Sequence, residues 1–280
     1  MKSIKNTIVK SSKHKKPIVT DVFFNKTNEK KPIVIFCHGY KGYKDWGAWN
    51  IVAKEFVKKN LFFVKFNFSH NGGTIENPID FPDLEAFGEN NFSIELDDLE
   101  DVINWVLEND DFKNEIDFSN ITLIGHSRGG GIVTIKASEN KKITKLITWA
   151  AVSDFGARFP KGEALKKWKE AGISYIQNSR TKQNMPHLFQ FYENFKENEE
   201  RLTIKKSASK LNIPHLIIQG KKDEVVVPNE AKNLHKWNPN SKLVIIEKMK
   251  HTLGCTQPWL NNEMPNHLKK VVELSIDFIL

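Results

Sequence analysis

The sequence predicts an α/β protein, a mainly parallel sheet with helices packed on its faces. Three observations carry this. Short apolar runs alternate with longer segments of 3.6-residue periodicity along most of the chain. Runs such as Ile33-Val34-Ile35-Phe36-Cys37 and Ile121-Thr122-Leu123-Ile124-Gly125 are unbroken and β-branched, as strands buried on both faces must be. The chain has 280 residues, 39% of them hydrophobic and 11% aromatic. A chain of that size buries about three quarters of the surface that its unfolded form exposes. This composition excludes a disordered tail protein, and two cysteines exclude a disulfide scaffold.

Taken in order, Ile18 to Phe24 reads as a strand paired with Ile4 to Val9 in a hairpin, followed by a polar turn from Asn25 to Lys31. Ile33 to Cys37 is the first buried strand. Trp46 to Lys59 follows as a helix with Trp49, Val52, Ala53, Phe56 and Val57 on one side. Leu61 to Phe66 is a strand. Leu96, Leu99, Val102, Ile103, Val106 and Leu107 then form a helical stripe. Its first turns carry Glu95, Asp97, Asp98 and Glu100, where the helix dipole favours carboxylates. Ile121 to Gly125 is the next strand, and a helix runs from the following turn to about Ser138; Leu146 to Ala151 is another strand.

The rhythm then breaks. Residues 154–206 carry no strand-like run but many large aromatics, so they are expected to form a helical insertion within a single domain spanning 1–280. The alternation resumes with a strand from His215 to Gly220, a helix opened by Pro228, and the strand Leu243 to Ile246. The final helix presents Leu268, Val271, Val272, Ser275, Ile276 and Ile279 on one face.

The segment Gly125-His126-Ser127-Arg128-Gly129 fits G-x-S-x-G, follows a strand and opens a helix, which is the setting of a nucleophile elbow. So tight a turn needs nearly side-chainless flanks, which glycine supplies, and the helix N-terminus below offers free N–H groups. The plain alternative is a glycine-rich turn with a capping serine. A serine hydroxyl needs a base, and the base an orienting acid. Asp223, in Gly220-Lys221-Lys222-Asp223-Glu224, directly follows a predicted strand, at the carboxyl edge where open α/β sheets place their sites. His251 follows the strand ending at Ile246. The order Ser127, Asp223, His251 suits a Ser…Asp…His triad on this kind of sheet. Glu224 is the rival acid, but Asp223 lies nearer the strand end. An oxyanion needs donors: one is expected from the backbone N–H of Arg128, the other from Tyr40 in the loop Cys37-His38-Gly39-Tyr40-Lys41-Gly42. Cys37 and Cys255 read as small buried hydrophobes. The nine histidines show no metal-ligand spacing, so no metal is expected.

From about Ile18 to the C-terminus the sequence resembles the α/β-hydrolases. The pieces that carry this are His38-Gly39-Tyr40-Lys41-Gly42, Phe66-Asn67-Phe68-Ser69-His70-Asn71-Gly72, the elbow, Gly220-Lys221-Lys222-Asp223 and His251-Thr252. Within that superfamily it is most similar to bacterial cinnamoyl/feruloyl esterases and dienelactone-hydrolase-like serine enzymes. The resemblance implies an α/β-hydrolase fold with an eight-stranded, mostly parallel sheet, a cap inserted after the sixth strand, and no cofactor. It departs at Ser69-His70-Asn71-Gly72, where relatives often read Arg-Gly-His-Gly, and at Arg128, where the cinnamoyl esterases tend to have Gln. The expected function is a serine esterase for small carboxylic esters, aryl and cinnamoyl types included. A thioesterase or peptidase of the same fold, or a non-catalytic hydrolase-fold binding protein, are the alternatives.

The net charge of +8 comes almost wholly from lysine, since only Arg128, Arg158, Arg180 and Arg201 among 42 basic residues are arginine. Base and phosphate recognition favours the guanidinium fork, so no nucleic-acid partner is expected. No apolar run approaches the ~20 residues of a membrane span, and no export signal follows Met1, so the chain is expected in the cytoplasm without a membrane partner. Oligomeric state is not legible. Lys161, Lys166, Lys167, Lys169 and Lys182 crowd the expected insertion, and with Arg128 at the elbow they predict a preference for anionic esters.

Overall fold

The computed structural model describes residues 1–280. The apolar runs become strands and the periodic segments helices. In chain order these are β1 (Lys2–Val9), β2 (Ile18–Phe24), β3 (Lys31–Cys37), α1 (Trp49–Lys58), β4 (Phe62–Phe66), α2 (Leu84–Glu89), α3 (Phe92–Glu108), β5 (Ile116–His126), α4 (Arg128–Glu139) and β6 (Lys145–Trp149). After β6 come α5 (Glu163–Ala171), β7 (Ile173–Gln177), β8 (Asn184–Leu188), α6 (Gln190–Glu197), α7 (Glu199–Leu202), α8 (Ile204–Lys210), β9 (His215–Gly220), α9 (Pro228–Trp237), β10 (Lys242–Ile246) and α10 (Asn266–Ile279).

Eight strands form one sheet in the order β1-β2-β4-β3-β5-β6-β9-β10. Only β2 runs against its neighbours, and every pairing from β4 to β10 is parallel. The sheet divides the core. On one face α3, α4, α8 and α9 bury residues such as Leu99, Ile132, Ile204 and Leu234; on the other lie α1 and α10. The helix faces follow the apolar periodicity: α1 buries Trp49, Val52, Ala53, Phe56 and Val57, and α10 buries all six residues of its predicted stripe. Register decides where the site lies. Cys37 stands opposite Gly125, His126 opposite Trp149, and Ile246 opposite Gly220, so β3, β5, β9 and β10 all discharge their loops at one edge.

The segment after β6 is not all helical. α5 ends at Gly172 in the left-handed conformation (φ 70°), and β7 starts at the next residue. β7 pairs antiparallel with β8 from Ile173–Leu188 to Gln177–Asn184, closed by Asn178, whose Oδ1 accepts from the backbone N–H of Arg180 and Thr181. The short α2 was also unexpected; it is capped by Asp83, whose Oδ1 accepts from Ala86 N–H at 2.9 Å. In α3, Glu95 and Asp98 are buried rather than solvated. No helix is long and apolar enough to cross a membrane.

Candidate active site

Ser127 sits between the last residue of β5 and the first of α4 with φ 57° and ψ −120°, a conformation that non-glycine residues avoid. The neighbouring glycines make the turn possible. A Cβ on Gly125 would stand 2.4 Å from the Gly129 carbonyl oxygen, and one on Gly129 would stand 2.4 Å from that of His38. The backbones of β5, α4 and the loop after β3 thus meet at van der Waals distance only because both positions lack a side chain.

His251 Nε2 lies 3.0 Å from Ser127 Oγ, and His251 Nδ1 lies 2.8 Å from Asp223 Oδ2. The other Asp223 oxygen accepts from the backbone N–H of Val225 and of Val226, each at 2.9 Å. The buried Gln219 amide donates to Oδ2 at 3.2 Å and to the Val226 carbonyl at 2.9 Å, tying the acid loop to the end of β9. Burial alone would raise the Asp223 carboxyl, but the hydrogen bond and charge of His251, with the two N–H donors, outweigh it and hold the carboxyl below its ordinary range. Glu224 is exposed and makes no hydrogen bond. His126 fixes the partner loop: its Nε2 donates to the His251 carbonyl at 3.0 Å, and burial lowers its pKa to about 3, so it remains neutral.

The loop after β3 passes directly over the serine, since a Cβ on Gly39 would lie 2.9 Å from Ser127 Cβ. The backbone N–H groups of Tyr40 and Arg128 find no acceptor within the protein, so both remain open donors beside Ser127. His38, pushed down to a pKa of about 4 by burial, anchors this loop through Nδ1, which donates to the Gly39 carbonyl at 2.9 Å.

A cavity of about 660 Å³ opens next to Ser127, walled largely by apolar and aromatic side chains such as Phe92, Phe155, Phe159, Trp168 and Phe191. Tyr40 and His187 close one side. The Tyr40 hydroxyl donates to His187 Nε2 at 2.8 Å, while His187 Nδ1 donates to the Met185 carbonyl. Burial lowers the His187 pKa to about 4, which keeps Nε2 free to accept, and burial pushes Tyr40 up to about 12. The loop after β3 and the β7–β8 hairpin are thereby joined. Arg128 also lines the cavity, with Nε donating to Glu95 Oε2 at 3.1 Å and Nη2 lying 3.0 Å from Oε1. Burial pushes the Glu95 carboxyl up, and Arg128 with a hydrogen bond from Asn90 offsets only part of this, so it stays above its ordinary range.

The five lysines expected at the mouth are exposed and none lines this cavity, so the structure does not carry the anionic preference built on them. Lys161 lies just before α5, Lys166, Lys167 and Lys169 on its outer surface and Lys182 in the β7–β8 turn, because the inner face of this segment is taken by the aromatics. Sequence reading did not find Glu95, His126, His187 or Gln219; only the placement of His126 inside the elbow was a signal. Both cysteines are buried and unpaired. No group of three or more His, Cys, Asp or Glu side chains converges to hold a metal ion.

The sequence family described as the alpha/beta hydrolase fold matches residues 83–254, more than half of the chain. The chain belongs to that family. No curated protein matches the sequence. Among solved structures, Est1E from Butyrivibrio proteoclasticus with ferulic acid bound superposes with a TM-score of 0.71 at 18% identity, covering 98% of this chain and 97% of that one. The esterase domain from a Rhodothermus marinus protein gives 0.65 at 15% identity over 99% and 98%. A puromycin-hydrolyzing peptidase of Mycobacterium tuberculosis gives 0.64 at 15% identity, covering 99% of this chain but 38% of that one. At such identities the likeness is one of fold.

Proposed function

We propose that this α/β hydrolase is a serine esterase cleaving carboxylic esters through an acyl-enzyme. The observation that carries the reading is the continuous hydrogen-bonded relay Ser127–His251–Asp223 at the mouth of an apolar cavity. Ser127 Oγ attacks the ester carbonyl carbon while His251 Nε2 takes its proton. Asp223 holds Nδ1–H and offsets the charge that develops on the ring. The negative oxygen of the tetrahedral intermediate is received by the N–H groups of Tyr40 and Arg128, each such donor contributing about 10²–10³ in turnover. Nε2 then returns the proton to the departing alkoxide, and water repeats the sequence on the acyl-enzyme. The aromatic lining suits an aryl or aryl-alkenyl group of the ester, in keeping with the ferulic acid bound to one structural neighbour, Est1E.

A fluorophosphonate probe is expected to label the wild type and not Ser127→Ala. Absence of label from both sinks the esterase reading. A peptidase neighbour makes amide cleavage the second reading; parallel turnover of matched ester and anilide substrates separates the two.

A further inference from the structure

The protein carries a net +8, yet the cavity beside Ser127 is electrically balanced. Two cations line it. Arg158 is paired with Glu230 and also donates to the Val225 carbonyl. Arg128 is paired with Glu95, whose side chain is buried and lies behind the wall, on α3, rather than in it. His187 is neutral and Tyr40 is un-ionised. The Arg128 guanidinium is also packed among rings, 4.6 Å from the centre of Phe92, 4.9 Å from Phe191 and 5.7 Å from Tyr40. Only Nε is hydrogen-bonded to Glu95; Nη2 lies 3.0 Å from Oε1 as a charge contact without a hydrogen bond, and Nη1 finds no acceptor in the protein, so the charge is matched while two arms of the fork keep unused donors.

We infer that Glu95 is a specificity-determining residue: by holding Arg128 neutralised from behind, it excludes ligands that carry a carboxylate into the cavity and admits neutral ones. The physical reason is the count of charges in a cavity walled largely by apolar side chains. A ligand carboxylate at Nη1 would put two anions on one guanidinium, and desolvating the second anion is compensated only by a cation that is already paired. Neutral acceptors such as nitro, carbonyl or ether oxygen meet the open N–H groups without that cost. Without the Glu95 charge, Arg128 becomes an unpaired cation aimed at the same space, and the preference should invert. Glu95 touches neither the serine nor the reacting carbonyl. It acts through Arg128.

The inference rests on the esterase reading for the reacting group, so the test has one arm that does not. Para-nitrobenzoyl and para-carboxybenzoyl groups are close in shape and differ in charge. Their N-methyl amides are titrated calorimetrically into Ser127→Ala and into Ser127→Ala/Glu95→Gln, and their methyl esters are turned over by wild type and Glu95→Gln. Ser127→Ala should bind the nitro amide at least about tenfold more tightly than the carboxy amide, and Glu95→Gln should shift that ratio by at least about tenfold toward the anion. The kcat/KM ratio of the two esters should move in step. Adding Arg128→Met should abolish the shift. Equal binding of the two amides, or a ratio unmoved by Glu95→Gln, overturns the inference. If Glu95→Gln does not melt cooperatively, Glu95→Asp retaining the discrimination supports it, and parity of the amides in Ser127→Ala still overturns it. Failure of both esters to turn over while the amide ratio holds would refute the esterase reading alone.

Discussion

Replacing Asp223 with Asn removes one charge and almost no volume, and the surrounding donors dictate the result. Asp223 Oδ1 receives two backbone N–H groups at 2.9 Å, and Oδ2 receives His251 Nδ1–H at 2.8 Å and the Gln219 amide at 3.2 Å. An asparagine has a single oxygen for these four donors. The two backbone groups cannot turn away, so the oxygen stays with them and the NH₂ faces His251. Nδ1 must then accept, which moves the ring proton to Nε2, the atom that has to take the proton of Ser127. The wrong tautomer in an otherwise intact site lowers kcat by about 10⁴, equivalent to about 5 kcal/mol of transition-state stabilisation. The assay is turnover of an activated aryl ester beside a thermal melt, the melt showing that the fold survives. A loss smaller than about tenfold with an unchanged melt would refute the relay as the source of general-base power.

Two further substitutions probe other parts of the framework. Gly129→Ala puts a methyl group 2.4 Å from the His38 carbonyl oxygen and 2.6 Å from that of Cys37; both are backbone atoms, so the elbow and the loop after β3 must separate. This overpacking should cost about 1–3 kcal/mol of stability and at least about tenfold in ester turnover as the Arg128 N–H leaves its position; a melt and activity equal to wild type would show that the backbones are not in register contact. His14 Nε2 lies 2.9 Å from Asp98 Oδ1, and that hydrogen bond, only partly opposed by burial, holds its pKa above the ordinary 6.5. A raised pKa means the stabilisation is fully present below pH 6.5 and is lost as pH rises through the raised value. The melting difference between wild type and His14→Gln should therefore be larger at about pH 5.5 than at about pH 9, and a difference that grows with pH would reverse the assignment.

How far the linear reading reached has a physical boundary. Whatever a single element encodes within its own period was legible: the stripe of α10 and the face of α1 follow from 3.6-residue spacing, and Ser127, Asp223 and His251, which the structure brings within hydrogen-bond distance, each lie in the loop or turn that follows a recognisable strand. β8 was not legible because Asn184-Met185-Pro186-His187-Leu188 places a proline inside a five-residue run, which counts against a strand unless it lies at an edge. In a two-stranded hairpin it does.

Glu95 and Asp98 failed differently. Four carboxylates among the first nine residues of a helix satisfy the dipole on the surface, and nothing local distinguishes Glu95, buried 33 positions from Arg128, from Asp97 beside it. The same holds for Tyr40 and His187, 147 positions apart yet 2.8 Å across the cavity wall. Reaction and substrate are therefore written at different ranges. A strand end, a glycine turn and the loop that follows can set out the atoms of a hydrolytic relay from local sequence. The charge of the cavity depends on which distant carboxylate reaches which arginine, so the change in ligand preference proposed for Glu95→Gln needs no change within any of the local motifs.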